Sequence, residues 1–307
     1  MIDLHTHSTF SDGSDSPSQL ARQARDLGLT AIALTDHDTT ASHDEMAAAC
    51  ALEGVEYVTG VEISLRDNEF LKVRSASDTV ARNVHVLAYF VPLDSEHPLQ
   101  RKLRSLRHDR DVRNRALVDL LVTRGFTNLT LDYLIGLSGN VDSIGRPHFA
   151  RAMFELHPEI VGVRDDETWG RVFAQWLGSE GTAYIPKTSM PLEEFVDAAR
   201  GSHTVFSIAH PLVNYLDTIT PSSIEATMPR VMASLRARGF AGIEAHYGGT
   251  SAETRAHMVK LTRDAGMIPT GGSDYHGYYK GDVSLGVGRS GDLRVPDEIL
   301  EELKAAR

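Results

Sequence analysis

Several histidine and carboxylate residues occur in pairs two positions apart. His5 and His7 flank Thr6 at the end of a short apolar stretch. Side chains two apart in an extended chain project to the same side, so both imidazoles can reach one ion. Asp274 and His276 repeat this spacing near the other end of the chain. The spacing therefore indicates metal-ion chemistry.

Other candidate ligands follow apolar stretches or lie within them. The motifs TDHD, VEIS and AHP each end such a stretch, and VHV lies inside another. Any one of these histidines alone is more often a structural residue, but donors at nearly every predicted strand end favour a shared metal centre. Nitrogen and oxygen ligands without sulfur favour Mn, Zn or Fe. The candidate ligands are His5, His7, Asp12, His37, Glu62, His85, His210, Asp274 and His276.

The elements that must position these residues alternate between strand-like and helical patterns. Predicted strands cover residues 1–6, 30–35, 55–64, 83–91, 204–209, 242–247 and 267–271. Predicted helices cover about 16–27, 42–53, 224–238 and 251–265, and a last one starts at 296. This alternation predicts a parallel sheet with covering helices, and α/β barrels place active sites at the carboxyl ends of such strands. An open doubly wound sheet and a closed barrel both fit the pattern. The polar residues 66–82 are expected to form an excursion between two strands.

The middle of the chain has helical periodicity and predicts no strand. We interpret residues 99–183 as a helical insertion domain, with 1–98 and 184–307 forming the α/β domain. Its tryptophans, Trp169 and Trp176, lie seven apart and are expected in the core of the insertion rather than on a base-stacking platform. The first helix carries arginines that form either a solvated face or a wall facing phosphate: Arg101, Arg104, Arg107, Arg110, Arg113 and Arg115.

The composition is that of a globular protein: 307 residues, 41% hydrophobic and 24% charged. The net charge of -11 argues against nucleic-acid binding through bulk charge, so a polyanionic ligand needs a local positive site. Cys50 is the single cysteine and cannot form an internal disulfide. No apolar run reaches the roughly 18 residues of a membrane span, and Met1 leads directly into a strand. A cytoplasmic location is expected.

The motifs DLHTHSTFSDG, ALTDHDT, GVEIS, AHP and GGSDYH resemble those of the polymerase and histidinol phosphatase (PHP) domain family, relatives of the amidohydrolases. The resemblance spans about residues 1–92 and 204–290. It implies a distorted (β/α)7 barrel, here with a helical insertion domain, and a centre of two to three metal ions, Mn²⁺ or alternatively Zn²⁺ or Fe²⁺.

The same resemblance implies how the ligands are grouped. A first site would use His5, His7, Glu62 and Asp274. A second would share Glu62 and add His85 and His210, and a third would use Asp12, His37 and His276. Asp12 stands where many relatives have His or Glu. His246 in the motif IEAHY competes with His210, which we favour because it directly follows an apolar strand.

Substrate class is implied by a narrower resemblance. The motifs GRPHFA and YIPK, followed by AHP, are similar to the branch that contains nucleoside 3′,5′-bisphosphate phosphatases and related 5′ to 3′ exonucleases. This implies removal of the 3′-phosphate from adenosine 3′,5′-bisphosphate, giving AMP, or release of 5′-mononucleotides from short RNA oligonucleotides. Arg146, His148 and Lys187 are the candidates for binding the second phosphate. Each also has a structural interpretation, as a helix start, a cap or a surface residue.

The sequence leaves three alternative functions open. Hydrolysis of histidinol phosphate or another small phosphomonoester would use the same metal motifs, although the arginine-rich insertion suits a larger dianionic substrate. An amide or lactone hydrolase commonly needs a carbamylated lysine, and Lys187 is the only lysine near a predicted strand end. A non-catalytic, metal-stabilised PHP module would usually have lost ligands. No obligate protein partner and no membrane is inferred.

Overall fold

Strands and helices alternate along the chain in the computed structural model, which describes residues 1–75, 78–139, 144–186 and 189–307. The strands are β1 (Ile2–Asp3), β2 (Ala31–Leu34), β3 (Glu56–Ser75), β4 (Asp78–Tyr89), β5 (Met190–Pro191), β6 (Val205–Ile208), β7 (Gly242–Tyr247) and β8 (Ile268–Gly272). The helices outside the middle segment are α1 (Pro17–Asp26), α2 (His43–Glu53), α8 (Leu192–Ala198), α9 (Pro211–Tyr215), α10 (Pro221–Ala237), α11 (Ala252–Asp264) and α12 (Glu298–Ala305). The middle segment contains α3 (Pro98–Thr123), α4 (Leu131–Ser138), α5 (Arg146–Leu156), α6 (Pro158–Val161), α7 (Asp166–Val172) and a π-helical turn (Phe173–Leu177).

Seven strands form one sheet in the order β1-β2-β3-β4-β6-β7-β8, and β5 pairs with β3 beside this path. The two ends of the sheet meet, because the backbone N–H of Leu4 donates to the carbonyl of Gly271 at 3.2 Å. The N–H of Asp274 likewise donates to the carbonyl of His5 at 2.8 Å. The sheet is therefore a nearly closed barrel, and the predicted seven-stranded α/β barrel is confirmed.

Strand β4 departs from the predicted parallel arrangement. It pairs antiparallel with both β3 and β6, whereas the remaining neighbours along the seven-strand path are parallel. The predicted excursion over residues 66–82 is also wrong, because β3 and β4 continue through it as one long antiparallel ladder from Gly60 opposite Tyr89 to Ser75 opposite Asp78. Two strands joined by so short a connection must be antiparallel, since a parallel connection needs a dozen or more residues.

This ladder contains a buried charged residue, which makes its sequence resemble that of an exposed loop. Asp67 is fully buried, and its carboxylate accepts two hydrogen bonds from the Arg238 guanidinium, each 3.0 Å long. The Tyr215 hydroxyl donates a third at 2.8 Å. A carboxylate that is paired and hydrogen-bonded in this way is tolerated inside a sheet. Its partners Tyr215 and Arg238 lie 148 and 171 residues away along the chain, so the local sequence does not reveal them.

The middle segment has its own buried cluster of apolar side chains. Leu117 and Leu121 of α3 pack in that cluster with Phe126, Phe149 and Met153. The first half of α3 belongs to the barrel instead, where Leu99, Leu103 and Leu106 join the main core cluster. Helix α3 therefore links the two clusters, and the proposed domain boundary at residue 99 stays a prediction. Within the described ranges, no helix combines the length and apolarity that crossing a bilayer demands.

His43 opens α2 in a buried position, where its Nδ1 bonds the Tyr57 hydroxyl. Burial lowers the pKa of His43 to about 4. The unfolded chain takes up a proton below pH 6.5 and the folded chain does not until about pH 4, so folding stability falls as pH drops through this window. His43→Gln should reduce that loss by about 3 kcal/mol, measured as urea unfolding between pH 7 and 4. His203→Gln, at an exposed histidine, is the control and should not change the pH slope.

Candidate metal centre

The first strand delivers two histidines to one end of the barrel. His5 and His7 are fully buried, and the Thr6 hydroxyl between them donates to the carbonyl of Ala33 at 2.7 Å, which fixes their direction. The last strand approaches closely, since a Cβ added at Gly272 would lie 2.4 Å from the Cβ of His5. Only glycine permits this approach, and the approach brings the GGSDYH motif beside His5 and His7.

Glu62 lies at the centre of the histidines. Its Oε2 is 3.2 Å from His5 Nε2 and 3.1 Å from His7 Nε2. The same oxygen is 3.2 Å from His37 Nδ1. Its Oε1 is 2.9 Å from His85 Nδ1 and 3.0 Å from His210 Nε2. One buried carboxylate thus faces five imidazoles from four separate stretches of the chain.

Two further carboxylates complete the cluster. Asp274 Oδ1 lies 3.5 Å from the Nε2 atoms of both His5 and His7. Asp12 Oδ1 lies 3.3 Å from His276 Nε2 and 3.7 Å from His37 Nε2. Three groups of potential ligand atoms result, each within 4.8 Å: His5, His7, Glu62 and Asp274; His37, Glu62 and His85; and His7, Asp12, His37 and His276.

The donor atoms of the cluster are arranged for binding divalent ions rather than for hydrogen bonds with one another. Among the described residues, His5 Nε2, His7 Nε2, Asp12 Oδ1, His37 Nδ1 and His210 Nδ1 are buried without a hydrogen-bond partner. Buried polar atoms are normally paired, and ring nitrogens that converge on carboxylate oxygens without hydrogen-bond geometry are the arrangement of a ligand shell. The donor set contains nitrogen and oxygen and no sulfur, as the sequence predicts.

The acidic members of the cluster are strongly ionised. Burial opposes their charge, but neighbouring imidazoles hold the pKa of Glu62 and of Asp12 well below the usual range. Asp274 shows the same depression of its pKa, to which Lys280 adds most among the charged neighbours. Carboxylates that stay charged are the form that binds a cation.

His210, and not the competing His246, reaches the cluster. The His210 ring stands 5.1 Å from the His85 ring and 6.0 Å from that of His5. The Cβ of His246 is packed against Gly271, and burial together with Arg255 and Arg263 lowers the pKa of this histidine to about 4. His210 has φ of 25° and Asp274 has φ of 59°, both in the region that disfavours side chains. Such strain at two cluster residues is typical of functional sites.

Sequence analysis missed Glu244, which holds two cluster residues in place. It is 1% exposed; its Oε1 lies 2.7 Å from His5 Nδ1, and its Oε2 accepts from the backbone N–H of His210 at 2.5 Å. A carboxylate on the far nitrogen fixes the tautomer and direction of a metal-binding imidazole. The sequence signal for Glu244 is its position in the apolar strand motif IEAHY, two residues before His246.

Glu244→Gln is expected to weaken metal binding about 10- to 100-fold, because the amide orients His5 less firmly and leaves it less basic. Metal titration of the chelator-treated protein checks this directly. Glu253→Gln, on the exposed side of α11, is the matched control and should bind metal like the wild type.

Lys280 and Asp36 were also missed. Lys280 Nζ lies 2.7 Å from Asp274 Oδ2; burial disfavours its charge, but Asp274 raises the pKa of Lys280 above its ordinary value. Asp36 is buried and accepts from the Ser8 backbone N–H and from the hydroxyls of Ser8, Ser11 and Ser42. It thereby anchors the loop that carries Asp12. The role of Asp36 is visible only once it is known that its loop meets the one that carries Ser8 and Ser11.

The cluster opens into a cleft of about 280 Å³ between the barrel and the middle helices. Asp12, His37, His85 and His276 line one part of it, and the Trp169, Phe173 and Tyr279 side chains line another. Trp169 and Trp176 both pack on the cluster of the middle segment, as expected, although Trp169 also borders the cleft. Tyr279 lies at the cleft, whereas Tyr278 is exposed and contacts Arg151.

Four arginines of α3 form two groups: two of them hold loops, and two line the cleft. Arg104 bonds the carbonyl of Ser95, and Arg107 bonds that of Asp38, so these two hold loops. Arg110 forms an ion pair with Asp38 and lines the cleft together with Arg113 and Arg146. Among the described residues, neither Arg113 nor Arg146 has a carboxylate within ion-pair distance. Burial, and then the like charges of Arg110 and Arg146, lower the pKa of Arg113 to about 10, which still leaves it charged at neutral pH.

The predicted phosphate ligands are placed differently from one another. Arg146 lines the cleft. His148 is 2% exposed, its Nδ1 accepts from the Gly145 N–H at the start of α5, and burial lowers its pKa to about 4. This position is that of a neutral helix cap, and it does not support a direct contact with phosphate. Lys187 lies outside the described residues.

The chain matches a known protein family over more than half of its length. The PHP domain family matches residues 3–164, more than half of the sequence. The chain belongs to the PHP domain family. This confirms the resemblance drawn from the motifs, and the PHP motifs are the ones that converge on Glu62 in the barrel.

Individual relatives of this PHP protein cover nearly its whole length. It is 29% identical over 95% of its length to a 3′,5′-nucleoside bisphosphate phosphatase of Chromobacterium violaceum, of which 92% is covered. It is 27% identical to a 5′-3′ exoribonuclease of Haemophilus influenzae, with 89% of each chain covered. A solved structure from Bifidobacterium adolescentis, described as a candidate metal-dependent phosphoesterase, superposes with a TM-score of 0.76 at 27% identity, over 99% of this chain and 96% of that one.

Proposed function

We propose that this PHP protein is a metal-dependent phosphoesterase that removes the 3′-phosphate from nucleoside 3′,5′-bisphosphates, converting adenosine 3′,5′-bisphosphate to AMP and phosphate. The observation that carries the proposal is the meeting, in one cleft, of the His/Asp/Glu cluster with Arg113 and Arg146, neither paired with a described carboxylate. The relative from Chromobacterium violaceum bears the corresponding name, which adds support.

The cluster residues would hold two to three ions, with Mn²⁺ preferred and Zn²⁺ or Fe²⁺ as alternatives. The ligands would be His5, His7, Glu62 and Asp274 at the first site, Glu62, His85 and His210 at the second, and Asp12, His37 and His276 at the third. When bound, such ions supply Lewis acidity toward phosphoryl oxygens and lower the pKa of coordinated water. The chain's own part is to fix the ligand directions, through Glu244 on His5 and through Asp36 on the loop of Asp12.

Charged side chains beyond the ligands would bind the substrate. Lys280 lines the cleft beside Asp274, where its ammonium can donate a hydrogen bond to a nonbridging oxygen of the scissile phosphate. Arg113 and Arg146 would hold the 5′-phosphate, for which planar guanidinium groups are suited. Burial lowers the pKa of Arg113 most, and repulsion from Arg110 and Arg146 adds to it; a bound dianion would relieve that repulsion.

Release of 5′-mononucleotides from short RNA is a second candidate activity of the same site. It is favoured by the exoribonuclease from Haemophilus influenzae among the relatives. The chemistry is the same, because the ester at the 3′ oxygen is cleaved while a terminal 5′-phosphate is bound. The 5′-phosphate requirement should then apply to oligonucleotides as well.

A panel of phosphate esters tests the proposal. The protein is loaded with Mn²⁺ and phosphate release is measured from adenosine 3′,5′-bisphosphate, 3′-AMP, 5′-AMP and histidinol phosphate. We expect the bisphosphate to be hydrolysed about 100-fold better than 3′-AMP, and 5′-AMP to be inert. A 5′-phosphorylated RNA trinucleotide and its 5′-hydroxyl counterpart test the second activity. Preference for histidinol phosphate, or no hydrolysis of any ester, would refute the proposal.

A further inference from the structure

A second chamber of about 170 Å³ lies next to the cleft. Arg113, Arg146 and His85 line both cavities, so the cleft and the chamber share these three residues. At roughly 30 Å³ for each water molecule, the chamber has room for about five or six waters, a volume comparable to one fused two-ring base.

The lining of the chamber mixes apolar and polar side chains. Its apolar members include Leu117, Leu177 and Ala183, each at most 5% exposed. Asn83 and Ser179 add polar groups, and the half-buried Tyr184 adds an aromatic ring. Apolar and aromatic side chains with a few polar groups are typical of a pocket for a small organic ligand.

A phosphate group is expected at the two arginines and not against the apolar side chains of the chamber. Arg113 and Arg146 line the cleft as well as the chamber, whereas the side chains of Leu117, Leu177 and Ala183 offer an anion no hydrogen-bond partner. Moving a charged group onto such side chains costs much of its hydration free energy. A nucleobase has the opposite requirements, since its faces are apolar and its edge forms hydrogen bonds, and guanidinium groups stack on it.

The stereochemistry of ribose agrees with this placement. The base on C1′ and the 5′-phosphate arm on C4′ project from the same face of the ring, and the 3′ oxygen projects from the other. A nucleotide whose 3′-phosphate lies at the metal cluster therefore presents both its base and its 5′-phosphate on the far side. That side holds Arg113, Arg146 and the chamber.

We propose that the second chamber is a nucleobase pocket, which makes the enzyme select nucleotides over other phosphate esters. This inference rests on the proposed function. The base would lie against Leu117 and Leu177 with Tyr184 beside it, and the 5′-phosphate would remain at the arginines. Ile185, which also lines the chamber and is half-buried, is the side chain whose enlargement would fill it.

The experiment compares adenosine 3′,5′-bisphosphate with 1-deoxyribose 3,5-bisphosphate, which has both phosphates and no base. We expect the wild type to favour the adenosine compound about 10- to 100-fold in kcat/KM, the range that contact with one base provides. Ile185→Trp should abolish this preference and leave the rate on the baseless compound unchanged. Ile160→Trp, the same change at a side chain 39% exposed on the middle segment, should behave like the wild type.

The possible outcomes separate the two proposals. If adenosine 3′,5′-bisphosphate is hydrolysed but the baseless compound is equally good, the pocket is refuted and the proposed function stands. If neither is hydrolysed, the proposed function fails. If adenosine 3′-phosphate 5′-diphosphate is preferred over the bisphosphate and Ile185→Trp removes only that preference, the chamber holds an extension of the 5′-phosphate and not the base. Tyr184→Ala provides a second variant should Ile185→Trp fold poorly, and it should reduce the same preference.

Discussion

Replacing Glu62 with glutamine is expected to lower phosphate release from adenosine 3′,5′-bisphosphate at least about a thousandfold, because the stabilisation that metal ions supply amounts to several kcal/mol. Glu62 is 1% exposed and faces five imidazoles, so its charge cannot be replaced by water or by a neighbouring side chain. The amide keeps the shape and removes the charge. Elemental analysis of the purified variant should find fewer ions per chain than in the wild type.

The control for this variant is Glu56→Gln, the same substitution on the same strand. Glu56 pairs with Lys304 at the surface, 2.8 Å away, and is not in any of the three ligand groups. It should retain wild-type activity and metal content. Thermal unfolding of both variants shows whether the fold is kept. A folded Glu62→Gln protein with full metal content and nearly full activity would contradict the proposed centre.

The second large effect is expected at Arg146. Arg146→Gln should lower kcat/KM for adenosine 3′,5′-bisphosphate about 100-fold and leave 3′-AMP hydrolysis almost unchanged, because a charge-assisted bond to phosphate contributes about 1.5–3 kcal/mol. Arg113→Gln should act in the same direction. Because both arginines would hold one phosphate group, the double variant should lose less than the sum of the two free-energy changes.

Arg115→Gln is the matched control for the arginine variants. Arg115 lies on α3 and forms a surface ion pair with Asp111 at 3.0 Å, so its loss should change neither substrate's kinetics. The comparison between substrates is what makes this prediction specific. If Arg146→Gln slows 3′-AMP as much as the bisphosphate, the arginine acts on the cluster or on the fold, and recognition of the 5′-phosphate is refuted.

The position of His85 beside Glu62 depends on the direction of its strand, which the local sequence pattern does not reveal. The sequence pattern predicts β4 as another parallel strand, in which His85 would lie away from the carboxyl end. The strand is antiparallel, and its residues near the amino end lie at the rim where β3 presents Glu62, with His85 opposite Ser64. The residue belongs to the site because β4 runs the other way, which only strand pairing reveals.

Its position directly after an apolar strand favours His210 over His246, and in the structure His210 lies 3.0 Å from Glu62. Both histidines follow or end apolar stretches, so the local pattern is nearly the same. What separates them is the unusual backbone at His210, with φ of 25°, and the contact of its N–H with Glu244. Neither feature can be inferred from neighbouring residues in sequence.

The sequence by itself determined the barrel class, the family and the set of donors that converge on Glu62, since these follow from local patterns: apolar strands, helix starts and short motifs at strand ends. The tertiary structure decided which buried carboxylates orient that set, which arginines of α3 face the cleft and which hold loops, and where the second chamber lies. Glu244 acts on His5, which lies 239 residues away along the chain, and Arg113 has no carboxylate within ion-pair distance among the described residues although Arg110 and Arg146 lie near it. Whether a charged side chain is buried or paired depends on which distant segments of the chain meet. A local sequence pattern contains no information about those contacts.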